Sequence, residues 1–168
     1  MAHEYAVKNV KNFEGHEGYG FNATLYRDGK RVAKVRDMAS GGAYEWEWID
    51  RESAKVKVET VDYNQEGTTY KGTPEEALFH AHVLTLPKEL NKFADGRMDF
   101  VDPDCFVGNL IDEYESKKRL RSLCRKKTVV QTVEDPGNWL IFKHPYDEKI
   151  KAHIEKKYPE AVIMNETL

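Results

Sequence analysis

The side chains here that could bind a metal, move protons or attack a substrate fall into a few small groups. His80-Ala81-His82 looks like a two-ligand metal motif, because alternate residues of a strand project from one face. Its context argues otherwise: Thr73-Pro74-Glu75-Glu76 combines an N-cap threonine, proline at the first helical position and glutamate at the third. On a helix, residues two apart point roughly 200° away from each other, so the two rings diverge. His3, His16, His144 and His153 have no ligand-like spacing. Cys105 falls near the start of a second helix, which would lower its thiol pKa, but the adjacent Asp104 opposes that. Cys124 lies in the same helix, about 28 Å further on, beyond the reach of a disulfide. Two reduced thiols in a cytosolic chain are the expectation. Gly15, Gly18 and Gly20 lack the order of a phosphate-cradling loop and precede no helix, so they read as a strand connection. Glu134, Asp135 and Lys143 flank one hairpin, as in a two-carboxylate-plus-lysine nuclease. The acids, however, fall in the turn and the lysine at the far end of the strand. The sequence therefore assigns no catalytic residue, no metal ligand and no cofactor, and it leans away from an enzyme.

Two groups suit binding instead. Between Lys117 and Lys127, seven of eleven residues are basic: Lys117, Lys118, Arg119, Arg121, Arg125, Lys126 and Lys127. Asp104, Asp112, Glu113 and Glu115 precede them on the same helix, an arrangement that complements the helix dipole. The positive charge exceeds what that compensation requires, which makes the segment a candidate surface for phosphate or an acidic partner. The second group is Tyr44-Glu45-Trp46-Glu47-Trp48, where alternation puts Tyr44, Trp46 and Trp48 on one face and both glutamates on the other. Under a helix carrying Phe79 and Val83 the aromatic stripe is core. Exposed, it is a contact surface or base-stacking platform that Trp139 could join.

The elements that hold these groups predict an α+β fold: an N-terminal antiparallel β-meander packed by helices, followed by a ββαβ-like segment. Tyr5–Phe13 reads as an edge strand. Phe21, Ala23 and Leu25 alternate with polar residues up to Asp28-Gly29, a pair suited to a tight hairpin. The return strand, 31–36, puts Val32 and Lys34 on one face with Ala33 and Val35 on the other. After Ser40-Gly41-Gly42 comes a strand over Tyr44–Ile49, and another over Lys55–Tyr63, making four or five strands in residues 1–64. The next helix carries Phe79, Val83, Leu86, Leu90 and Phe93, with Pro87 expected to kink or split it. Asp102 caps a long helix with Val107, Leu110, Ile111 and Tyr114 as one buried stripe and Leu120, Leu123 and Cys124 as a second. A hairpin over Thr128–Val133 and Trp139–Lys143, a helix over Asp147–Tyr158 and a last strand over Ala161–Met164 complete segment 73–168. Any boundary is expected in Gln65–Gly72, with both parts forming one compact unit.

Composition limits the rest. Of 168 residues 33% are charged and 40% hydrophobic, with a mean hydropathy of −0.73, which excludes collagen, low-complexity disorder and an integral membrane protein. A net charge of −3 excludes a uniformly basic nucleic-acid binder and a strongly acidic DNA mimic. The start Met1-Ala2-His3-Glu4-Tyr5 is unlike a secretory signal, and no apolar run of about 18 residues is present. A cytoplasmic chain is expected, without a membrane partner.

Several stretches bear a likeness to other sequences. Leu123-Cys124-Arg125-Lys126-Lys127-Thr128, Trp139-Leu140-Ile141-Phe142-Lys143 and Lys151-Ala152-His153-Ile154-Glu155-Lys156-Lys157-Tyr158 resemble small uncharacterised proteins of phages and prophages. So do Val7-Lys8-Asn9-Val10 and Leu25-Tyr26-Arg27-Asp28-Gly29-Lys30. The resemblance covers about a third of the chain and implies no catalytic residues. It implies a compact, non-enzymatic interaction module in a bacterial host cytoplasm, one that binds and blocks a host enzyme or defence complex, as an anti-CRISPR does. The partner would be a host protein or ribonucleoprotein complex. The alternative is a nucleic-acid-binding accessory protein acting through residues 117–127.

Overall fold

The computed structural model describes residues 3–62, 64–91 and 96–168. These residues form an α+β structure with an N-terminal antiparallel sheet of four strands and, among the described residues, three α-helices. The chain divides into two compact units, Met1–Asp112 and Glu113–Leu168. No helix among the described residues is long and apolar enough to cross a membrane.

In the first unit, β1 (Tyr5–Gly15), β2 (Gly18–Arg27), β3 (Lys30–Asp37) and β4 (Glu45–Trp48) pair antiparallel in sequence order. The β2–β3 hairpin turns through Asp28 (φ 51°) and Gly29 (φ 77°), consecutive left-handed residues whose twist matches that of the flanking strands. Phe21, Ala23 and Leu25 are buried, as their alternation demands. Two bulges modify it. Asn9, at φ 56°, sits where the β1–β2 register slips between Lys8 and Lys11. The β2–β3 register slips between Leu25 and Tyr26, which pair with Ala33 and Arg31. Val32 is the extra residue, and it is buried together with Ala33. The expected split of Val32 from Ala33 onto opposite faces therefore fails, because a bulge breaks the period of two.

The expected fifth meander strand does not join this sheet. Among the described residues, β5 (Val56–Val61) pairs only with β6 (Gly67–Gly72), in a separate two-stranded sheet, so most of the stretch in which any boundary is expected is a strand. Tyr63, at the end of the expected strand, lies outside the described residues.

Helix α1 (Pro74–Leu84) begins with a complete capping box. The Thr73 hydroxyl accepts from the Glu76 amide, and the Glu76 carboxylate accepts from the Thr73 amide at 3.1 Å. It buries Phe79 and Val83 and stops at Leu84, before Pro87, whose ring cannot follow a helical turn. The stripe expected to run on through Leu86 and Leu90 ends there: Glu89–Leu90 forms a short strand, β7, paired with Met98–Asp99, β8. Phe93 lies outside the described residues. The core of this unit lies between the inner face of the four-stranded sheet and Phe79, which touches Tyr5, Trp46, Trp48 and Phe106 with ring centroids 5.0–6.0 Å apart.

Helix α2 (Pro103–Cys124) crosses the division between the units. Asp102 Oδ1 accepts from the Asp104 and Cys105 amides and caps it. Val107 and Ile111 are buried in its first half and Leu120 in its second.

The second unit is the expected ββαβ arrangement. β9 (Thr128–Gln131) is the centre of a three-stranded antiparallel sheet, with β10 (Leu140–Phe142) on one side and β11 (Val162–Ile163) on the other. Asp147 caps α3 (Glu148–Lys157) by accepting from the Ile150 amide, and Ile154 packs with Val130 and Ile163 in the core. Asn165 joins the end of α2 to this sheet: its amide donates to the carbonyls of Cys124 and Lys127, and its Oδ1 accepts from the Val129 amide.

Candidate interaction surfaces

The basic segment occupies the last turns of α2 and the turn that follows. Lys117, Lys118, Arg119, Arg121, Arg125 and Lys126 are exposed and Lys127 is half-buried. Leu120 anchors the helix between them, and burial of one apolar residue per turn leaves the intervening long side chains in water. Lys117 pairs with Glu113 one turn earlier at 2.5 Å. Among the described residues, none of the other six bases takes part in an ion pair. Dipole compensation draws on charge in the last turn, where Arg121 lies. Arg125 and Lys126 extend the charge past the end of the helix at Cys124.

The aromatic stripe is placed differently. Trp48 is buried, while Tyr44 and Trp46 are half-buried. Trp46 stacks on Trp48 at 5.3 Å with an interplanar angle of 12° and lies 5.0 Å from Phe79, while Tyr44 meets Phe21 edge-on at 4.9 Å. One carboxylate at the start of α2 fixes both polar handles of the stripe: Asp104 accepts from the Trp46 indole at 3.1 Å and from the Tyr44 amide at 2.8 Å. Glu45 and Glu47 point to the opposite face, where Glu47 pairs with Lys34 at 3.0 Å and Glu45 with Arg36 at 3.8 Å. Trp139 belongs to the other unit, just before β10.

The histidine pair diverges as helix geometry requires. His80 Nδ1 faces the Thr60 hydroxyl and Nε2 the Tyr70 hydroxyl, each at 3.2 Å, and Tyr70 donates to Glu76 Oε1 at 2.8 Å. His82 lies instead against Tyr5 and Phe106, at 4.8 and 5.5 Å. Burial pushes both imidazoles below their usual pKa, since charging them would strand a cation away from water. The Cys105 thiol is pushed up by desolvation and then by the carboxylates of Asp102, Glu89 and Asp104, the reverse of what a nucleophile needs. Around the hairpin turn, Arg27 grips Glu75 through Nε and Nη2, both at 3.0 Å, and His3 approaches Asp28 at 2.7 Å. These contacts tie the sheet to the start of α1, because Glu75 is its second residue.

No family model, curated protein or solved structure matches this chain. Function must therefore be read from the residues themselves. One surface escapes a reading of the sequence: the outer face of the four-stranded sheet, where a hollow of about 360 Å³ is lined by Lys11, Asn22, Thr24, Lys34, Arg36 and Glu47 among others. Alternation within each strand marks these residues as outward. Only strand pairing brings Lys11, Asn22 and Arg36 into one row.

Proposed function

We propose that this chain works by binding rather than by catalysis, with the basic end of α2 and the following turn as its contact surface. Its partner is an acidic surface on a host protein or ribonucleoprotein complex, which it blocks in the manner of a phage-encoded inhibitor such as an anti-CRISPR. The observation that carries the reading is the run Lys118, Arg119, Arg121, Arg125 and Lys126, exposed and outside any ion pair among the described residues. Charges of one sign held this close repel each other, and an acidic partner relieves that repulsion while steering association. The test compares the wild-type chain with a variant carrying Arg121→Glu, Arg125→Glu and Lys126→Glu in pull-downs from producing cells. A protein retained by the wild type, released by raised salt and absent from the variant is expected. Identical retention by both chains would overturn the assignment of this surface.

A second reading has its own support. Residues 113–168 contain twelve basic and nine acidic residues, against fourteen and twenty in 1–112, so the unit that bears the segment is the positive one. That balance suits a nucleic-acid backbone. On this reading Arg121→Ala, Arg125→Ala and Lys126→Ala weaken a low-salt gel shift, and wild-type protein that shifts neither DNA nor RNA removes it.

A further inference from the structure

The four-stranded sheet sorts its charges. Its inner face is the core of the first unit, and β1–β3 turn Lys8, Lys11, Asn22, Thr24, Tyr26, Arg31, Lys34 and Arg36 to the outside. No aspartate or glutamate stands at an outward position of these three strands, although their unit as a whole carries six more acids than bases. A basic field set in an acidic unit is not an average property of the surface. It arises because the two bulges and the strand registers bring separate bases into adjacent rows. Lys8 pairs across from Thr24 and Thr24 from Lys34, while Lys11 pairs across from Asn22 and Asn22 from Arg36. The two rows are one strand repeat apart, about 7 Å.

The surroundings favour a chain-like ligand with both charge and planar groups. Arg36 is held by Asn22, whose Oδ1 accepts from its Nε at 2.8 Å, and Lys8 lies 4.8 Å from the centre of the half-buried Tyr26 ring. The acids that face these bases, Glu45 and Glu47, both stand on β4 at the margin of the sheet. Their pairs with Arg36 and Lys34 are exposed, and exposed pairs of this kind yield readily to a competing anion. The rows bound the shallow hollow lined by Lys11, Asn22 and Arg36, with Glu45 and Glu47 of β4 along its edge.

We infer that the outer face of the β1–β4 sheet is a binding surface for single-stranded nucleic acid. Lys8, Lys11, Lys34 and Arg36 meet its phosphates, Asn22 and Thr24 offer hydrogen bonds to base edges, and Tyr26 supplies a ring for stacking. Bases on a sheet with an aromatic ring among them are the combination that single strands use, whereas an acidic peptide would make no use of the ring. This surface belongs to a different unit from the basic segment and does not depend on it.

The experiment is fluorescence anisotropy of the full chain with a labelled oligothymidylate at low and moderate salt, with poly-glutamate as competitor. Three chains are compared: wild type, Lys8→Ala/Lys11→Ala/Arg36→Ala, and Arg121→Ala/Arg125→Ala/Lys126→Ala. The expected result is salt-sensitive binding that falls by about tenfold or more in the sheet variant, with a shallower salt slope. The sheet variant should lose more binding than the α2 variant, and Tyr26→Phe should retain binding that Tyr26→Leu loses. Circular dichroism checks that each chain is folded. Absence of wild-type binding, loss only in the α2 variant, or equal displacement by poly-glutamate at matched charge would each overturn the proposal. Loss only in the α2 variant would also place nucleic acid on the other surface, so the two readings fail separately.

Discussion

Single residues set the response of this chain to pH. His80 is a helical residue whose ring is closed in by Thr60 and Tyr70, and Glu76, Asp102 and Asp104 pull its pKa back less than burial depresses it. A histidine with a depressed folded pKa binds fewer protons when folded than when unfolded. Its contribution to stability is therefore complete above the unfolded value of 6.5 and is lost as pH falls below it. Urea melts at pH 7.5 and 5.5 should show a loss of stability on acidification that is smaller in His80→Gln, because glutamine fits the same hydrogen bonds and does not titrate. An equal loss in both chains would remove His80 from this role. The carboxylates held low by basic partners or backbone amides, Asp28 and Glu47 among them, act in the same direction only at more acidic pH, since they titrate below their usual range.

At the scale of elements, helix α1 depends on how its first turn is closed. Thr73 is buried, its hydroxyl satisfies the Glu76 amide, and Glu76 closes the box from the other side. Thr73→Ala should cost about 1 kcal/mol in a chemical melt, and Thr73→Ser should restore most of it. The loss extends beyond the helix, because Glu75 in the same turn holds Arg27 and Glu76 accepts from Tyr70. Helix α2 is tied in from a different direction. Asp104 at its start accepts from Trp46 and Tyr44, so a residue that belongs to the helix by sequence serves the sheet by contact.

For the molecule as a whole, the informative quantity is the division of charge. The net charge is −3, yet residues 113–168 carry more bases than acids. At pH 7 and low salt, wild-type protein should be retained on a cation exchanger despite a sequence pI near 6.1. Arg121→Ala/Arg125→Ala/Lys126→Ala should elute earlier, with its thermal midpoint little changed, because exposed side chains outside any ion pair among the described residues contribute within about 0.5 kcal/mol of nothing. A large drop in that midpoint would mean that these bases act on the helix dipole rather than on a partner.

Local chemistry is enough for much of the chain. Asp28-Gly29 dictates its hairpin, Thr73-Pro74-Glu75-Glu76 and Asp102 start their helices, and the ββαβ order of the second unit follows from turn residues and periodicity. These signals reside in a few neighbouring residues, so they can be read without knowing what lies across the fold. The basic run 117–127 is equally local, and the exposure of its helical bases follows from Leu120 turning inward among them. Features that depend on distant partners are of another kind. Long-range packing leaves β5 outside the four-stranded sheet and buries Val32 beside Ala33 through a bulge. It also sets Asp104 against Trp46 and builds the basic face of the sheet from Lys8, Lys11, Lys34 and Arg36. No single strand contains that face. A strand fixes which residues look outward, and only the register between strands decides which of them become neighbours.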